Sequence, residues 1–281
     1  MTVPSVALRS GDSIPIVGSG TWDIGDETVR ESVRVALDAG YTHIDTAEGY
    51  MNEGEIGEVL ADHDRDRQEL FLTSKVLPSN LAYDSVIESC DASLDRLGTD
   101  YLDLYLIHWP NPAISLRETL HAMERLHDRG KVRNVGVSNF SAFQLSCAHH
   151  VSDVPIAVNQ IEFHPWFQRP KLVEYCRETG TAIEAAAPLA RTEVLGDETV
   201  REVAEEYDKT PAQVVLRWAV EKDVVVLPKS TSGEHIRGNV ALFDWELDSA
   251  DRQRIDELDR DQPIYDTPAR DWTGDVYGIS Q

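Results

Sequence analysis

Lysine is scarce in this sequence, and acidic residues far outnumber basic ones. Six of the 26 basic residues are lysines, against 50 Asp and Glu, and the formal net charge at pH 7 is −24. A surface of that charge repels phosphate groups, which argues against a nucleic acid or an anionic membrane as partner. Acidic excess with few lysines is the balance expected of a protein that stays soluble in concentrated salt. We therefore expect a halophilic source.

Cysteines and long apolar runs are also few. The three cysteines, Cys90, Cys147 and Cys176, are widely spaced and form no CxxC pair. Such a set suits reduced thiols in a cytosol and offers no thiolate metal site. The first residues show no basic segment followed by an apolar stretch, and no apolar run approaches membrane-spanning length. These absences predict a soluble, cytoplasmic protein without a membrane partner.

Strand-like and helix-like segments alternate regularly along the chain. Eight predicted strands cover residues 16–20, 41–45, 69–75, 101–108, 132–137, 156–161, 182–187 and 224–227. The predicted helices cover residues 27–39, 53–62, 85–97, 115–129, 142–149, 170–179, 197–221 and 234–240, with a helix start at Thr210-Pro211 inside the seventh. Alternation of this kind implies parallel strands. Eight of each predict a closed (β/α)8 barrel.

The two ends of the chain lie outside this alternation. Residues 6–8 and 14–16 flank a turn-rich segment and predict a hairpin that could plug one end of the barrel. Residues 247–281 begin with a charged helix over 249–259, and their later prolines and aromatics suit a tail across the active-site rim. Length alone leaves two smaller domains open, and strand order is not legible in sequence. Since no Pro-, Gly- or Ser-rich linker divides the chain, we expect one domain over residues 1–281.

Four polar side chains fall at or just past the ends of three successive predicted strands: Asp45, Tyr50, Lys75 and His108. Taken singly, each has an ordinary structural explanation: a capping aspartate, a surface tyrosine, a lysine reaching solvent or a core histidine. In a barrel, however, the carboxyl ends of the strands share one rim, where active sites collect. Their convergence predicts a catalytic site there.

Seven motifs carry a family resemblance. They are GTW (20–22), GYTHIDTAEGY (40–50), TSK (73–75), SLDRLGTDYLDLYLIHWP (93–110), GVSNF (136–140), NQIEFHP (159–165) and PKS (228–230). Together they resemble the aldo-keto reductase family, nearly end to end, and suggest a short-loop prokaryotic member. The resemblance implies NAD(P)H-dependent reduction of aldehydes, ketones or sugar-like carbonyls to alcohols. It also implies structural roles for His164 and Pro165.

The resemblance assigns catalytic roles to the four rim residues. Tyr50 is the general acid, Lys75 and Asp45 tune it, and His108 positions the carbonyl. The chemistry is reasonable, because a phenol with an ordinary pKa of about 10 needs a nearby cation to donate its proton near neutrality. No metal is required.

A cofactor site is expected without the G-x-G-x-x-G fingerprint, which follows no strand here. By resemblance, Ser138, Asn139 and Gln160 hold the nicotinamide carboxamide, while Lys229 and Ser230 form a phosphate pocket with the following helix.

Several positions bear on the choice between cofactors. Ala186 stands where many members stack a tyrosine on the nicotinamide. His235 stands at the usual arginine for the 2′-phosphate, with Arg237 two residues along, and Gly238 replaces an acidic residue. Asn239 matches an adenine-contacting asparagine. We expect NADP(H), with NAD(H) an open alternative.

The sequence says less about the substrate, since substrate specificity is determined by the loops that follow the strands. Trp22, Trp109 and Trp272 are candidate walls of a pocket, although packing explains Trp109 as readily and Trp272 more readily. Short segments at residues 111–114 and 191–197 suggest an open pocket for modest carbonyl compounds. The expected partner is thus a small-molecule carbonyl, and we expect a monomer.

Two other functions compete with this one. A metal-dependent barrel hydrolase would use His43, Asp45, His108 and His164 as ligands, but it leaves Tyr50 and Lys75 unexplained. A cofactor-sensing subunit without catalysis would keep the cofactor residues and need no intact tetrad. Bound metal with chelator-sensitive hydrolysis would favour the first, and cofactor binding without carbonyl turnover the second.

Overall fold

The computed structural model describes residues 3–265, and the expected wall residue Trp272 lies outside them. The chain opens with an antiparallel hairpin of strands Ser5–Ala7 (β1) and Ser13–Pro15 (β2). Its apolar side chains Leu8 and Ile14 are buried with Phe71 and Leu104, which lie in the first half of their strands. The predicted hairpin therefore plugs the amino-terminal end of the barrel. Burial of each such side chain stabilises the fold by about 1.5–3 kcal/mol.

Eight parallel strands form the barrel and confirm the predicted fold. They are Gly18–Gly20 (β3), His43–Asp45 (β4), Phe71–Val76 (β5), Leu102–Ile107 (β6), Val132–Ser138 (β7), Ile156–Glu162 (β8), Ala182–Ala186 (β9) and Val225–Val226 (β10). Each pairs with the next in chain order. A parallel bridge between Val17 and Val226 brings the first and last together, and the Val226 amide donates to the Ile16 carbonyl over 2.9 Å.

Helices surround the barrel. They are Asp26–Asp38 (α1), Glu53–Asp62 (α2), Tyr83–Leu97 (α3), Leu116–Asp128 (α4), Ala142–Val151 (α5), Pro170–Thr179 (α6), Glu198–Glu206 (α7), Pro211–Val220 (α8), Gly233–Val240 (α9) and Ser249–Asp256 (α10). Short 3-10 helices cover Glu48–Tyr50, Arg67–Glu69, Pro78–Asn80 and Ala190–Gly196. None of the helices within residues 3–265 is long and apolar enough to cross a membrane.

Local signals set the helix ends most clearly at α8. Thr210 accepts a hydrogen bond from the Gln213 amide over 3.2 Å, and Pro211 occupies the first helical position. This confirms the predicted start and divides the predicted seventh helix into α7 and α8.

Strand ends depart further from prediction. β4 begins at His43, two residues later than expected. Tyr41, predicted to lie in this strand, is buried, and its hydroxyl donates to the Ile236 carbonyl of α9 over 3.0 Å.

Candidate active site

The four rim residues lie at the carboxyl ends of neighbouring strands. Asp45 is the last residue of β4, Lys75 is next to last in β5, and His108 follows β6. Tyr50 closes the 3-10 helix Glu48–Tyr50, which sequence patterns did not predict and which turns the phenol back over the strands. The structure thus brings Asp45, Tyr50, Lys75 and His108 to one rim of the barrel.

Lys75 is the centre of this group and is completely buried. Its ammonium donates to Asp45 Oδ1 at 2.7 Å, to the Thr46 carbonyl at 2.9 Å and to Tyr50 Oη at 3.2 Å. An ammonium has three N–H donors, so each one has an acceptor. Burial alone lowers the pKa of Lys75, but the charge of Asp45 and the hydrogen bonds to Asp45 and Tyr50 raise it more, and the net direction is upward. Lys75 is therefore a permanent cation at neutral pH.

Tyr50 combines this hydrogen bond with an aromatic contact. The edge of its ring meets His108 with 5.4 Å between ring centroids. Burial raises the pKa of Tyr50, Lys75 lowers it, Asp45 raises it, and the net direction is upward. The phenol consequently keeps its proton at neutral pH. The adjacent cation favours the tyrosinate that forms when the proton leaves.

His108 is held by its backbone while its ring faces the site. Its amide donates to the Val76 carbonyl over 3.0 Å, and its carbonyl accepts from Asn139 Nδ2 over 3.0 Å. Burial, followed by the charge of Lys75, lowers the pKa of His108 to about 3. The ring is therefore neutral, and Nδ1 has no protein partner within residues 3–265. A neutral imidazole of this kind can donate one hydrogen bond to a substrate oxygen.

The three predicted carboxamide residues also meet. Ser138 Oγ donates to the Gln160 carbonyl over 3.0 Å and accepts from Asn139 Nδ2 over 3.0 Å. Asn139 has a φ of 63°, a left-handed conformation that asparagine tolerates better than most residues. Gln160 Nε2 donates to Asp45 Oδ2 at 2.9 Å and to Glu184 Oε2 at 2.5 Å. Both amide protons are thus committed, and the Gln160 side-chain oxygen remains available as an acceptor.

The predicted phosphate pocket follows β10. Lys229 is exposed and lies beside Gly20 of β3. Ser230 Oγ accepts from the Ser232 amide over 3.1 Å, and Ser232 caps α9. A cation, a hydroxyl and a helix N-terminus are a donor set that fits phosphate oxygens.

The remaining predicted cofactor residues lie along α9. His235 and Arg237 are exposed, and the Arg237 guanidinium donates to the Gly233 carbonyl of its own helix over 3.1 Å. Asn239 is buried at 5% exposure. The structure therefore gathers the phosphate-binding candidates on one segment, with two basic or titratable side chains facing solvent.

The predicted wall residues are connected by two side chains that sequence patterns did not single out. The guanidinium of Arg191 lies 4.8 Å from the ring of Trp22 and 5.6 Å from that of Tyr265, and Tyr265 meets Trp109 with 6.4 Å between ring centroids. Trp22 is 45% exposed. Ala190 and Arg191 have positive φ angles of 48° and 50°. The residue types of this segment do not predict that left-handed conformation.

Part of the expected tail lies across this rim. The Tyr265 amide donates to Glu162 Oε2 over 3.1 Å, and the Ile264 amide bonds the other oxygen of the same carboxylate. Glu162, at the end of β8, is also paired with His164 over 2.9 Å. Residues 266–281 of the predicted tail lie outside the described residues.

Glu184 is the most informative residue that the motifs did not identify. It lies in the middle of β9, is completely buried, and contacts Gln160. Burial, followed by the charge of Asp45, raises the pKa of Glu184 to about 8. The one signal in the sequence is a single acid within the otherwise apolar strand AIEAA.

The histidines proposed as metal ligands have other contacts. His43 Nε2 lies 3.0 Å from Thr73 Oγ1, and His164 bonds Glu162. Within residues 3–265, no three His, Cys, Asp or Glu side chains are grouped as a metal site requires. The hydrolase hypothesis therefore gains no structural support.

The fold and the site together define a class of protein, a (β/α)8 barrel with a polar site at the carboxyl ends of its strands. Residues 16–260 match the model of the Aldo/keto reductase family, and the chain belongs to this family. It is accordingly an oxidoreductase of a family that acts on carbonyl groups with nicotinamide cofactors.

Three comparisons illustrate the membership. The chain is 38% identical over 266 residues to glyoxal reductase from Bacillus subtilis, covering 94% of this chain and 96% of that protein. The structure of an aldo-keto reductase from a Medee basin deep-sea metagenome library superposes with a TM-score of 0.91 at 37% identity, covering 93% of this chain and 97% of that one. A Bombyx mori aldo-keto reductase in complex with NADP gives a TM-score of 0.88 at 33% identity, covering 95% and 96%.

Proposed function

We propose that the chain reduces small aldehydes, ketones or sugar-like carbonyls to alcohols, with NADP(H) as the favoured cofactor and Tyr50 as general acid. One observation carries the proposal. Buried Lys75 donates to both Asp45 and Tyr50, so a fixed cation lies beside the phenol that would lose its proton. A sensing subunit would have no use for this costly buried charge.

The proposed mechanism assigns each residue one task. A bound nicotinamide cofactor supplies the hydride. Neutral His108 donates a hydrogen bond to the carbonyl oxygen and fixes its orientation. Tyr50 transfers its phenolic proton to that oxygen as negative charge develops there. Lys75 stabilises the resulting tyrosinate, and Asp45 keeps the ammonium in place.

The cofactor would be held at its nicotinamide end and at its phosphate groups. Ser138, Asn139 and Gln160 would bind the carboxamide, and Lys229 with Ser230 would bind a phosphate. Exposed His235 and Arg237 are the candidates for a 2′-phosphate. The NADP complex of the silkworm relative supports NADP(H), while Ala186 and Gly238 leave NAD(H) as the second candidate.

The substrate class rests on the open rim and on one relative. The similar protein from Bacillus subtilis is named a glyoxal reductase, which favours small aldehydes for this chain too. Trp22 and Trp109 would contact the substrate across the rim. The acidic composition supports a cytoplasm with concentrated salt as the working environment.

A carbonyl panel tests this proposal directly. The wild-type chain is assayed at several KCl concentrations with small aldehydes, ketones and sugars, using NADPH and NADH side by side. We expect oxidation of NADPH that depends on an aldehyde and increases with salt. Tight cofactor binding with no turnover across the whole panel would favour the sensing subunit and refute the reductase.

A further inference from the structure

Glu184 lies directly beneath the proposed carboxamide residues. It pairs in register with Gln160 of β8 on one side and Val225 of β10 on the other. The carboxyl is completely buried, Oε2 accepts from Gln160 Nε2 at 2.5 Å, and Oε1 has no hydrogen-bond partner among the described residues. A buried carboxyl with an unpaired oxygen is costly, so its presence in an apolar strand calls for a physical reason.

We propose that Glu184 is a positioning residue that orients the Gln160 amide for the nicotinamide and does so as a neutral acid. This inference rests on the proposed function and deepens it, because none of the motif residues explains why the Gln160 amide adopts one orientation.

The orientation of the Gln160 amide follows from matching its hydrogen-bond donors to the acceptors around it. Gln160 Nε2 has two protons, which Asp45 Oδ2 and Glu184 Oε2 accept at 2.9 and 2.5 Å. The side-chain oxygen must then point the other way, where it can accept from the carboxamide N–H of a nicotinamide. With Asp45 alone as acceptor, the second amide proton would be unpaired, and the amide could turn and offer N–H where an acceptor is needed.

The surrounding charges favour a neutral Glu184. Asp45 on β4 is the nearest carboxylate, and the cation Lys75 on β5 is already bonded to it. His43 Nε2 lies 3.5 Å from Glu184 Oε1, but burial lowers the pKa of His43 to about 3, so this ring supplies no positive charge. Thr73 beside His43 is uncharged. One cation balances one carboxylate, which leaves none for a second.

A change in this protonation state would reach the proposed proton donor. Glu184 is neutral below its pKa of about 8 and becomes a carboxylate above it. A negative Glu184 raises the pKa of Tyr50 further, because a nearby negative charge disfavours the tyrosinate. A weaker phenolic acid donates its proton less readily. Carbonyl reduction should therefore decline as the pH rises through about 8.

Two substitutions separate the orienting role of Glu184 from its role as a titrating acid. Glu184→Gln keeps an oxygen acceptor for Gln160 but does not titrate. Glu184→Met has a similar length and removes both the acceptor and the acid. Glu53→Gln is the matched control, since Glu53 is equally buried but is paired with Arg96 at 2.6 Å. All variants are compared as full chains in the salt that best supports wild-type activity.

Cofactor affinity tests the orienting role. We expect Glu184→Met to weaken NADPH binding by about tenfold, as for one lost hydrogen bond of good geometry. Binding of 2′-phospho-ADP-ribose, which lacks the nicotinamide, should be unchanged, and Glu184→Gln should bind NADPH within about twofold of wild type. Equal losses for both ligands, or no loss for either, would overturn the orienting role.

The pH profile tests the neutral acid. We expect kcat/KM for reduction to fall above pH about 8 in wild type and in Glu53→Gln, and to extend to higher pH in Glu184→Gln. An alkaline limb in Glu184→Gln identical to that of wild type would refute the role of Glu184 ionisation. If Glu184→Met fails to fold, the pH profile of Glu184→Gln still tests whether ionisation of Glu184 matters. The orienting role is then tested by the NADPH affinity of Glu184→Thr. A wild-type chain that reduces no carbonyl contradicts the proposed function instead, because cofactor affinities remain measurable without turnover.

Discussion

The ammonium of Lys75 lies 3.2 Å from the phenolic oxygen of Tyr50, and its other two protons are bonded to Asp45 and the Thr46 carbonyl. This arrangement fixes the cation on one side of the phenol. It therefore makes the protonation of the product depend on a buried ion pair rather than on solvent.

Tyr50→Phe should abolish carbonyl reduction while leaving the cofactor bound. The substitution removes the hydroxyl that Lys75 contacts and keeps the ring that meets His108. We expect kcat to fall by at least about 10²-fold, the usual contribution of a positioned general acid. Steady-state kinetics and cofactor fluorescence titration measure the two quantities. Wild-type turnover in this variant would contradict the mechanism.

Lys75→Met should destabilise the barrel as well as inactivate it. Loss of the cation leaves Asp45 buried without its 2.7 Å partner, and such uncompensated charges cost about 3–5 kcal/mol of unfolding free energy. Urea denaturation measures the effect. The control is the double variant Lys75→Met/Asp45→Asn, which should recover part of the loss because it also removes the orphaned charge. Strictly additive destabilisation would contradict this explanation.

Arg191→Gln should alter the preference among substrates. Its guanidinium lies over Trp22 and Tyr265 on the rim of a strongly acidic protein, where a cation favours carbonyl compounds that carry a carboxylate. We expect KM to rise about five- to tenfold for such substrates and to stay within about twofold for neutral aldehydes. Arg177→Gln, in the last turn of α6, is the control. Equal changes for both substrate types would argue against an electrostatic role.

His108→Gln should reduce the loss of stability in acid. The folded ring has a pKa of about 3 against 6.5 for the ordinary value, so between these two pH values the unfolded state binds the extra proton. Stability is therefore lost as the pH falls through this window, with a slope of up to about 1.4 kcal/mol per pH unit. Urea denaturation between pH 4 and 7 should give a shallower slope for the variant. Parallel curves would show that the pKa of His108 is the same in the folded and unfolded states, which would contradict this prediction.

Salt should stabilise the chain strongly. The net charge of −24 produces self-repulsion that molar salt screens, since the Debye length falls to about 3 Å at 1 M. We expect the melting temperature to rise continuously between 0.1 and 3 M KCl. Sucrose, which stabilises compact states without screening charge, is the control. A KCl effect no larger than that of sucrose would remove the argument for a halophilic source.

Sequence patterns predicted the elements whose ends depend on local chemistry. The helices at Glu53–Asp62 and Pro170–Thr179 match their predicted bounds, and the second ends at Gly180 with a φ of 68°, a conformation that glycine favours. The parallel barrel followed from alternation alone, since parallel strands need long crossovers. The relative positions of Asp45, Lys75 and His108 followed in turn from the rim that such strands share.

Long-range contacts explain what was missed. Tyr41, just before β4, bonds the Ile236 carbonyl of α9, 195 residues away in the sequence. Glu184 matters because of Gln160 and Asp45 on other strands, and Arg191 because of Trp22 and Tyr265. The residue types alone carry none of these pairings, which depend on the closed barrel.

The hairpin plug has a consequence for how such a protein can change. Leu8 and Ile14 seal the end of the barrel opposite to Lys75, so the apolar contacts of the plug lie far from the rim loops that would select the substrate. Substitutions among the rim loops can then alter which compounds enter without disturbing the sealed interior. Better packing at the plug can offset the loss of stability caused by such substitutions without altering the rim. The architecture thereby allows new substrates to be explored at little risk to folding.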